Sequence, residues 1–160
     1  KETKTVIVDN NVERLNMAEQ NGINNVLEIN FKDKNIYKKI LKKNNMNKFD
    51  FVISANNNLI SHNMALNLVS KGGCVNLFGG IPKKINDKLN ISANKIHYDQ
   101  INITGSFSSN KIQLIKAYKF IKNNKKFFRS ILTKPIAISK AIEYFNLVRM
   151  NKIIKAAIKF

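Results

Sequence analysis

Two consecutive glycines, Gly79 and Gly80, follow a run of apolar or small side chains at residues 74–78, and Gly72 and Gly73 precede it. A short apolar run between glycine pairs is typical of a buried β-strand that begins after a tight turn. Because glycine has no Cβ, the backbone beyond this strand can approach a flat ligand closely or adopt a positive φ. Ligands of open α/β sheets bind beyond the carboxyl ends of the strands, so Gly79 and Gly80 form a candidate site. An ordinary turn is the alternative, since glycine pairs also mark turns.

Few residues of this chain could bind a metal. Cys74 is the only cysteine, which excludes an internal disulfide and a cysteine cluster for zinc. Neither His62 nor His97 has a Cys or Glu partner at ligand spacing, so we interpret both as surface or packing histidines. The sequence also contains no G-x-G-x-x-G motif. We therefore predict no metal ligand and no catalytic residue in this chain.

Strands and helices are predicted to alternate, which indicates βαβ units and a parallel α/β sheet. Strands are predicted at residues 5–9, 26–29, 49–53, 74–78, 101–104 and 153–160, with extended chain at 133–138. Helices are predicted to follow Asn10, Ser61 and Ser139 as caps, to occupy 32–43, 94–98 and 110–123, and to stop at Gly22 and Gly72. The helix at 110–123 carries apolar residues at i, i+3, i+4 and i+7, which predicts a buried face of Leu114, Ala117, Tyr118 and Ile121.

The formal charge of +18 raises the possibility of nucleic-acid binding. However, only three of the 28 basic residues are arginine, the residue that such sites usually employ for bidentate contacts. The lysines are spread along the chain, as in proteins from A/T-rich genomes, and those at 32–43 are typical of a solvated helix face. We expect no specific nucleic-acid partner, although a non-catalytic basic nucleic-acid-binding module remains the alternative. No apolar run reaches the roughly 18 residues of a membrane helix, and no signal peptide is evident, so a cytoplasmic protein without a membrane partner is expected.

Five stretches occur in an order and spacing that resemble a known family. They are Val6-Ile-Val-Asp9 with Glu13-Arg14-Leu15, Phe49-Asp-Phe-Val-Ile53, Lys71-Gly-Gly-Cys-Val-Asn-Leu-Phe-Gly-Gly-Ile-Pro82, His97-Tyr98 with Ile103-Thr-Gly-Ser-Phe107, and the segment 141–155. Together they span nearly the whole chain. In this order and spacing the chain resembles the C-terminal half of the zinc-type medium-chain alcohol and polyol dehydrogenases. The resemblance implies a Rossmann-like doubly wound parallel sheet in residues 1–106. It also implies a C-terminal segment, 107–160, that returns to the catalytic domain.

The resemblance implies a cofactor role for nine residues. These are Asp9, Arg14, Ala55, Phe78, Gly79, Gly80, Ser106, Phe107 and Lys155. Asp9 corresponds to the carboxylate that binds the adenosine ribose, which favours NAD over NADP because the charge repels a 2′-phosphate; Arg14 lies a turn beyond it, near the adenine. Ala55 corresponds to the adenosine loop, Phe78 to Gly80 to the nicotinamide lining, and Ser106 and Phe107 to the carboxamide contact. Lys155 corresponds to a basic residue at the pyrophosphate. The alternatives to these cofactor roles are that Asp9 only caps the helix after its strand and that Lys155 is a solvated lysine.

The chain also departs from the family. The glycine-rich phosphate loop, the catalytic zinc ligands and the structural-zinc cysteines belong to the family's N-terminal half, and Ser54 and Asn57 replace the usual Asp and Gly around Ala55. In the strand order 3-2-1-4-5-6, the central strand 1 has no counterpart here, which predicts a gap with free strand edges on both sides. We therefore expect a truncated product or a piece of a split chain that is inactive alone. Its full-length parent would be a homo-oligomer that oxidises an alcohol or polyol by zinc-assisted hydride transfer to NAD.

Overall fold

The computed structural model describes residues 3–83 and 86–160. Its elements alternate along the chain as β1 (Ile7–Asp9), α1 (Val12–Gln20), β2 (Val26–Glu28), α2 (Ile36–Lys43), β3 (Phe49–Ser54), α3 (Leu59–Leu68), β4 (Val69–Leu77), α4 (Ala93–Asp99) and β5 (Asn102–Gly105). They continue as α5 (Lys111–Asn123), α6 (Lys125–Ser130), β6 (Ile136–Ala137), a 3₁₀ turn (Ile138–Lys140), α7 (Ala141–Arg149) and β7 (Ile158–Lys159). The order confirms the predicted α/β class.

The strands form three separate parallel sheets in the described residues. β1 pairs with β2, β3 and β5 flank β4, and β6 pairs with β7. β1 therefore pairs only with β2, and β3 only with β4, within residues 3–83 and 86–160. The first two strands and the following three thus belong to separate sheets in the described residues.

The chain divides into two compact units. One contains Lys1–Ile29 with Ser109–Phe160, and the other contains Asn30–Ser108. The division proposed from the resemblance, at residues 106 and 107, follows the family's architecture and stays a prediction.

The unit Asn30–Ser108 has its core where α3 packs against one face of the β3–β4–β5 sheet. The fully buried residues of this core are Ala65, Leu66, Val69, Val75 and Ile101. His62, Ala65 and Leu66 are buried in α3. They are three and four residues apart, which places them on one face of a helix with a 3.6-residue period. The other face of the sheet leaves Phe51 and Ile53 more than half exposed.

The other unit holds β1, β2 and the elements from α5 to β7. α1 packs on β1 and β2 through Leu15, which is 4% exposed. β6 and β7 pair in register, and a further parallel bridge joins Leu132 to Lys155.

Several helix boundaries and burial predictions were wrong. Asn11 caps α1 rather than Asn10, Asn58 caps α3 rather than Ser61, and Ser139 lies in the 3₁₀ turn before α7. The predicted buried face of α5 is exposed, α6 was not predicted, and the last strand is only two residues long. No helix within the described residues has both the length and the apolarity needed to cross a bilayer.

The expected turn at Gly72 and Gly73 is instead part of β4, which begins at Val69 directly after α3. The pairing with β3 is irregular there, because Phe49 pairs with Val69 and Phe51 with Cys74. Gly72 has a φ of +72°, a backbone conformation that glycine adopts without strain. The glycine pair therefore forms an irregularity inside a longer strand, not a helix stop.

Candidate functional site

Three parallel strands of the unit Asn30–Ser108 end at the same edge of their sheet. In register, Ser54 of β3 pairs with Leu77 of β4, and Leu77 pairs with Gly105 of β5. The loops that leave this edge contain six of the nine predicted cofactor residues: Ala55, Phe78, Gly79, Gly80, Ser106 and Phe107. The carboxyl edge of an open parallel sheet is where such folds bind ligands.

The loop after β4 is fastened to the end of β3 by backbone hydrogen bonds. The N–H groups of Phe78 and Gly79 both donate to the carbonyl of Ser54, at 3.1 and 3.2 Å. A Cβ on Gly79 would lie 2.0 Å from the carbonyl oxygen of Asn56, so only glycine fits. Gly80 has open space where its Cβ would lie. The close backbone approach at Gly79 is thus to the protein's own neighbouring loop, and Gly80 is the residue with room for a ligand.

Polar side chains join the ends of β4 and β5. The Asn76 amide donates to Thr104 Oγ1 at 3.0 Å and to Ser106 Oγ at 2.9 Å. The Ser106 N–H donates to the Leu77 carbonyl at 3.2 Å. These bonds fix the start of the loop that carries Phe107, whose side chain is fully exposed.

Asp9 and Arg14 form a second group of predicted residues, in the unit that contains β1. Asp9 ends β1, and one of its carboxylate oxygens accepts the N–H of Asn11 at 2.9 Å. The other accepts a hydrogen bond from Arg14 Nη1 at 3.2 Å. The second guanidinium nitrogen of Arg14 donates to the side chain of Asn151. The carboxylate that the resemblance assigns to the ribose therefore already carries a cation beside it.

Lys155 lies in the same unit, in the segment before β7. Its backbone pairs with Leu132, and its carbonyl accepts the N–H of Thr133 at 3.1 Å. The side chain is exposed. The predicted pyrophosphate contact stays a prediction.

The two histidines differ in their surroundings. His97 is exposed and packs edge-on against Tyr98, with ring centroids 4.8 Å apart. His62 is only 3% exposed and lies between Ser54 and Gly79. No three His, Cys, Asp or Glu side chains in residues 3–83 and 86–160 are grouped so that they could hold a metal ion.

Two carboxylates near lysines have lowered pKa values. The hydrogen bond from Lys95 is the main cause at Asp99, where the nearby charges of Lys95, Lys71 and Lys48 also lower the pKa and burial opposes them. At Asp33 the hydrogen bond from Lys39 is the main cause of the lowered pKa. Neither carboxylate belongs to the predicted cofactor residues.

Ser54, His62 and Asn76 are three polar residues of this edge that sequence reasoning did not identify as functional. Each occupies a position that its pattern would give to an apolar residue: the end of β3, the sheet side of α3 and the interior of β4. A polar residue at a predicted buried position was the available signal, because such groups need hydrogen-bond partners.

One comparison with known proteins identifies a family. A family model described as zinc-binding dehydrogenase matches residues 2–123, more than half of the chain. No curated protein matches the chain.

Solved structures show the same fold at low identity. The alcohol dehydrogenase zinc-binding domain protein from Burkholderia ambifaria has a TM-score of 0.80 and 15% identity, over 99% of this chain and 42% of that one. Benzyl alcohol dehydrogenase from Acinetobacter calcoaceticus has a TM-score of 0.77 and 19% identity, over 97% and 42%. Acetophenone reductase from Geotrichum candidum, in complex with NAD, has a TM-score of 0.70 and 19% identity, over 98% and 41%. The chain therefore spans less than half the length of the structures that it matches.

Proposed function

The chain belongs to the zinc-binding dehydrogenase family, and we propose that it supplies part of the NAD site of an alcohol or polyol dehydrogenase. The arrangement that supports this most directly is the shared carboxyl edge of β3, β4 and β5, from which six of the predicted cofactor residues extend. NAD, when bound, accepts a hydride from the substrate carbon. The substrate is a small alcohol or polyol, of the kind that sorbitol or threonine dehydrogenases oxidise, and the full-length protein is a homo-oligomer.

Each of the two units, taken by itself, contains described residues that fit one part of a dinucleotide. Asp9 offers its carboxylate to the ribose hydroxyls, with the Arg14 guanidinium beside it at 3.2 Å. Gly80 leaves open space at the sheet edge, next to Phe78, whose side chain is 61% exposed and can cover an apolar ring face. Ser106 and Phe107 begin the neighbouring loop and would hold the carboxamide. These residues bind and orient the cofactor.

Zinc does not fit the residues that the structure describes. Within residues 3–83 and 86–160, no group of three possible ligands is close enough to hold the ion. We therefore assign the chain no zinc-dependent step, and propose that the ligands of the family's zinc are supplied outside it. The chain alone is accordingly inactive, since it also lacks the glycine-rich phosphate loop motif.

NADH titration followed by ¹H–¹⁵N NMR tests this proposal. The expected result is that the amide signals of Ala55, Gly80, Ser106 and Asp9 shift with weak, millimolar affinity, whereas those of the exposed α5 do not. Shifts confined to the lysine-rich helices would show that the nucleotide binds only as a polyanion.

A second measurement tests inactivity. The purified chain, supplied with zinc, NAD and a panel of alcohols and polyols, is expected to reduce no more NAD than the heat-denatured chain. Turnover above that control would contradict the proposal that the chain contributes only part of the site.

A further inference from the structure

The imidazole of His62 joins the loops that leave β3 and β4. Its Nδ1 lies 2.8 Å from Ser54 Oγ, and its Nε2 lies 2.8 Å from the carbonyl oxygen of Gly79. His62 is 3% and Ser54 is 5% exposed. Both ring nitrogens therefore have partners in a nearly buried site, at the edge where six predicted cofactor residues lie.

The chemistry of these partners determines where the ring carries its proton. The Gly79 carbonyl can only accept a hydrogen bond, so His62 Nε2 must donate to it. In the neutral ring Nδ1 then accepts, and the Ser54 hydroxyl, which can donate or accept, supplies the hydrogen. The contacts assign the Nε2–H tautomer to His62.

Ser54 holds the same loop a second time. Its backbone carbonyl accepts the N–H groups of Phe78 and Gly79. The N–H of Gly79 is therefore bound to Ser54 directly, and the C=O of Gly79 is bound to Ser54 through His62. The N–H and the C=O of Gly79 are thus both hydrogen-bonded within the protein. Gly79 can therefore affect a ligand only by fixing the path of the loop that continues to Gly80.

Simple space-filling does not require a histidine at this position. His62 precedes Ala65 and Leu66 on the sheet-facing side of α3, where an apolar residue would fill the same volume. An apolar residue would, however, leave the Ser54 hydroxyl without its acceptor and the Gly79 carbonyl without its donor in a buried site. The hydrogen bonds to Ser54 and Gly79 therefore explain why a polar ring occupies this position.

We propose that His62 is a positioning residue of the cofactor site: its Nε2–H fixes the Gly79 carbonyl and so sets the path of the loop from Phe78 to Gly80. The part of this inference that concerns the cofactor rests on the proposed function, in which this loop lines the nicotinamide. The fixing of the loop itself does not depend on it.

Two variants separate hydrogen bonding from packing. His62→Gln keeps an N–H donor at a reach close to that of Nε2, whereas His62→Met has similar length and no donor. His97→Gln, at the exposed histidine, is the matched control. For each chain we would measure amide hydrogen exchange at Phe78 and Gly79, and the NADH affinity by NMR titration.

The expected result is faster exchange at Phe78 and Gly79 and about tenfold weaker NADH binding in His62→Met, with both largely restored in His62→Gln. His97→Gln is expected to match the unmodified chain. Unchanged exchange in a folded His62→Met chain would overturn the proposal, because the loop would then not depend on the donor.

The tautomer of His62 in the unmodified chain gives a test that needs no variant to fold. Long-range ¹H–¹⁵N spectra are expected to show the proton on Nε2, and the presence of only two histidines makes the assignment direct. A proton on Nδ1 alone would overturn the proposal. An Nε2–H tautomer together with slowly exchanging amides at Phe78 and Gly79 would support the positioning role. If the amide signals of the same loop did not shift when NADH was added, the proposed function would be contradicted while the positioning role stood.

Discussion

The carboxylate of Asp9 lies 3.2 Å from the guanidinium of Arg14 at the end of the first strand. The resemblance implies that Arg14 lies a turn beyond Asp9, near the adenine. The first turn of α1 brings it back, and Arg14 also donates to Asn151. The carboxylate that we propose to favour NAD therefore stands beside a cation that could receive the 2′-phosphate of NADP.

Asp9→Ser is expected to change cofactor preference in both directions. NADH binding weakens because the ribose hydroxyls lose a charged acceptor, a hydrogen bond worth roughly 1.5–3 kcal/mol. NADPH binding strengthens because Arg14 is released to pair with the phosphate. The ratio of NADH to NADPH affinity should fall by about tenfold or more, as measured by parallel NMR titrations of the two nucleotides.

The double variant Asp9→Ser, Arg14→Ala is the control for that experiment. It should keep the loss of NADH affinity and lose the gain in NADPH affinity. An unchanged ratio in Asp9→Ser would mean that Asp9 serves only the turn it forms with the N–H of Asn11.

The parallel α/β sheet could be predicted from the sequence because its strands are short apolar runs bounded by turn residues. Residues 49–53 and 101–104 were predicted nearly to the residue, and so was the helix that became α5. The helix predicted at 32–43 begins only at Ile36. The first boundary of β4 could not be predicted. Val69 continues the apolar pattern of α3, and only its pairing with Phe49 makes it a strand residue.

The environment of the site was harder to predict than its elements. Helical spacing shows which residues of α5 share a face but not whether anything covers that face, and Leu114 and Tyr118 are 60% and 67% exposed. His62 was interpreted as a surface or packing residue because no Cys or Glu stands at ligand spacing from it. Its partners are Ser54 of β3 and Gly79 of the loop after β4, and the sequence does not show that they lie beside it. The contacts that indicate a role for His62 form only when the fold brings the end of β3, α3 and the loop after β4 together.

Leu66→Ala is expected to destabilise the chain by about 2–5 kcal/mol, because Leu66 is 1% exposed and its truncation leaves a cavity between α3 and the sheet. Urea denaturation followed by circular dichroism measures the loss. Leu114→Ala is the matched control at an exposed position and should change stability by less than about 0.5 kcal/mol. A similar loss in both variants would mean that the α5 face is buried after all.

The lowered pKa of Asp99 gives an acid-dependent contribution to stability. A carboxyl whose folded pKa lies below its ordinary value of 3.8 stabilises the fold above that pH. The contribution is lost as the pH falls through the folded pKa. Lys95→Met removes the hydrogen bond at 3.3 Å and should raise the pKa of Asp99 toward its ordinary value.

Carboxyl ¹³C titration of Asp99 measures this shift. Lys71→Met is the control, because Lys71 lies 3.7 Å from Asp99 with an 82% exposed side chain and acts only through its charge. Its effect should be smaller. Equal shifts in the two variants would show that charge, not the Lys95 hydrogen bond, lowers the pKa.

The net charge of +18 predicts a sequence-independent attraction to DNA. Such binding releases counterions, so its affinity should fall steeply between low and physiological salt and should be equal for unrelated duplexes. Fluorescence anisotropy with two duplexes at several salt concentrations measures both properties. Selective binding that persists at physiological salt would favour the nucleic-acid-binding module over the dehydrogenase assignment.

Alanine substitutions at the adjacent residues Gly79 and Gly80 should affect different properties: the first should lower stability and the second should weaken NADH binding. A Cβ on Gly79 would meet the Asn56 carbonyl oxygen at 2.0 Å, and a backbone atom cannot rotate away. Gly79→Ala should therefore destabilise the chain by about 1–3 kcal/mol, the usual range for overpacking.

Gly80→Ala meets nothing within 4 Å and needs no positive φ, so stability should be nearly unchanged. The new methyl instead enters the space proposed for the nicotinamide and should weaken NADH binding by about tenfold. Urea denaturation and NADH titration of both variants separate the two effects. If Gly80→Ala left NADH affinity unchanged while Gly79→Ala lost stability, Gly80 would no longer be assigned to the nicotinamide lining, and the packing of Gly79 against Asn56 would stand.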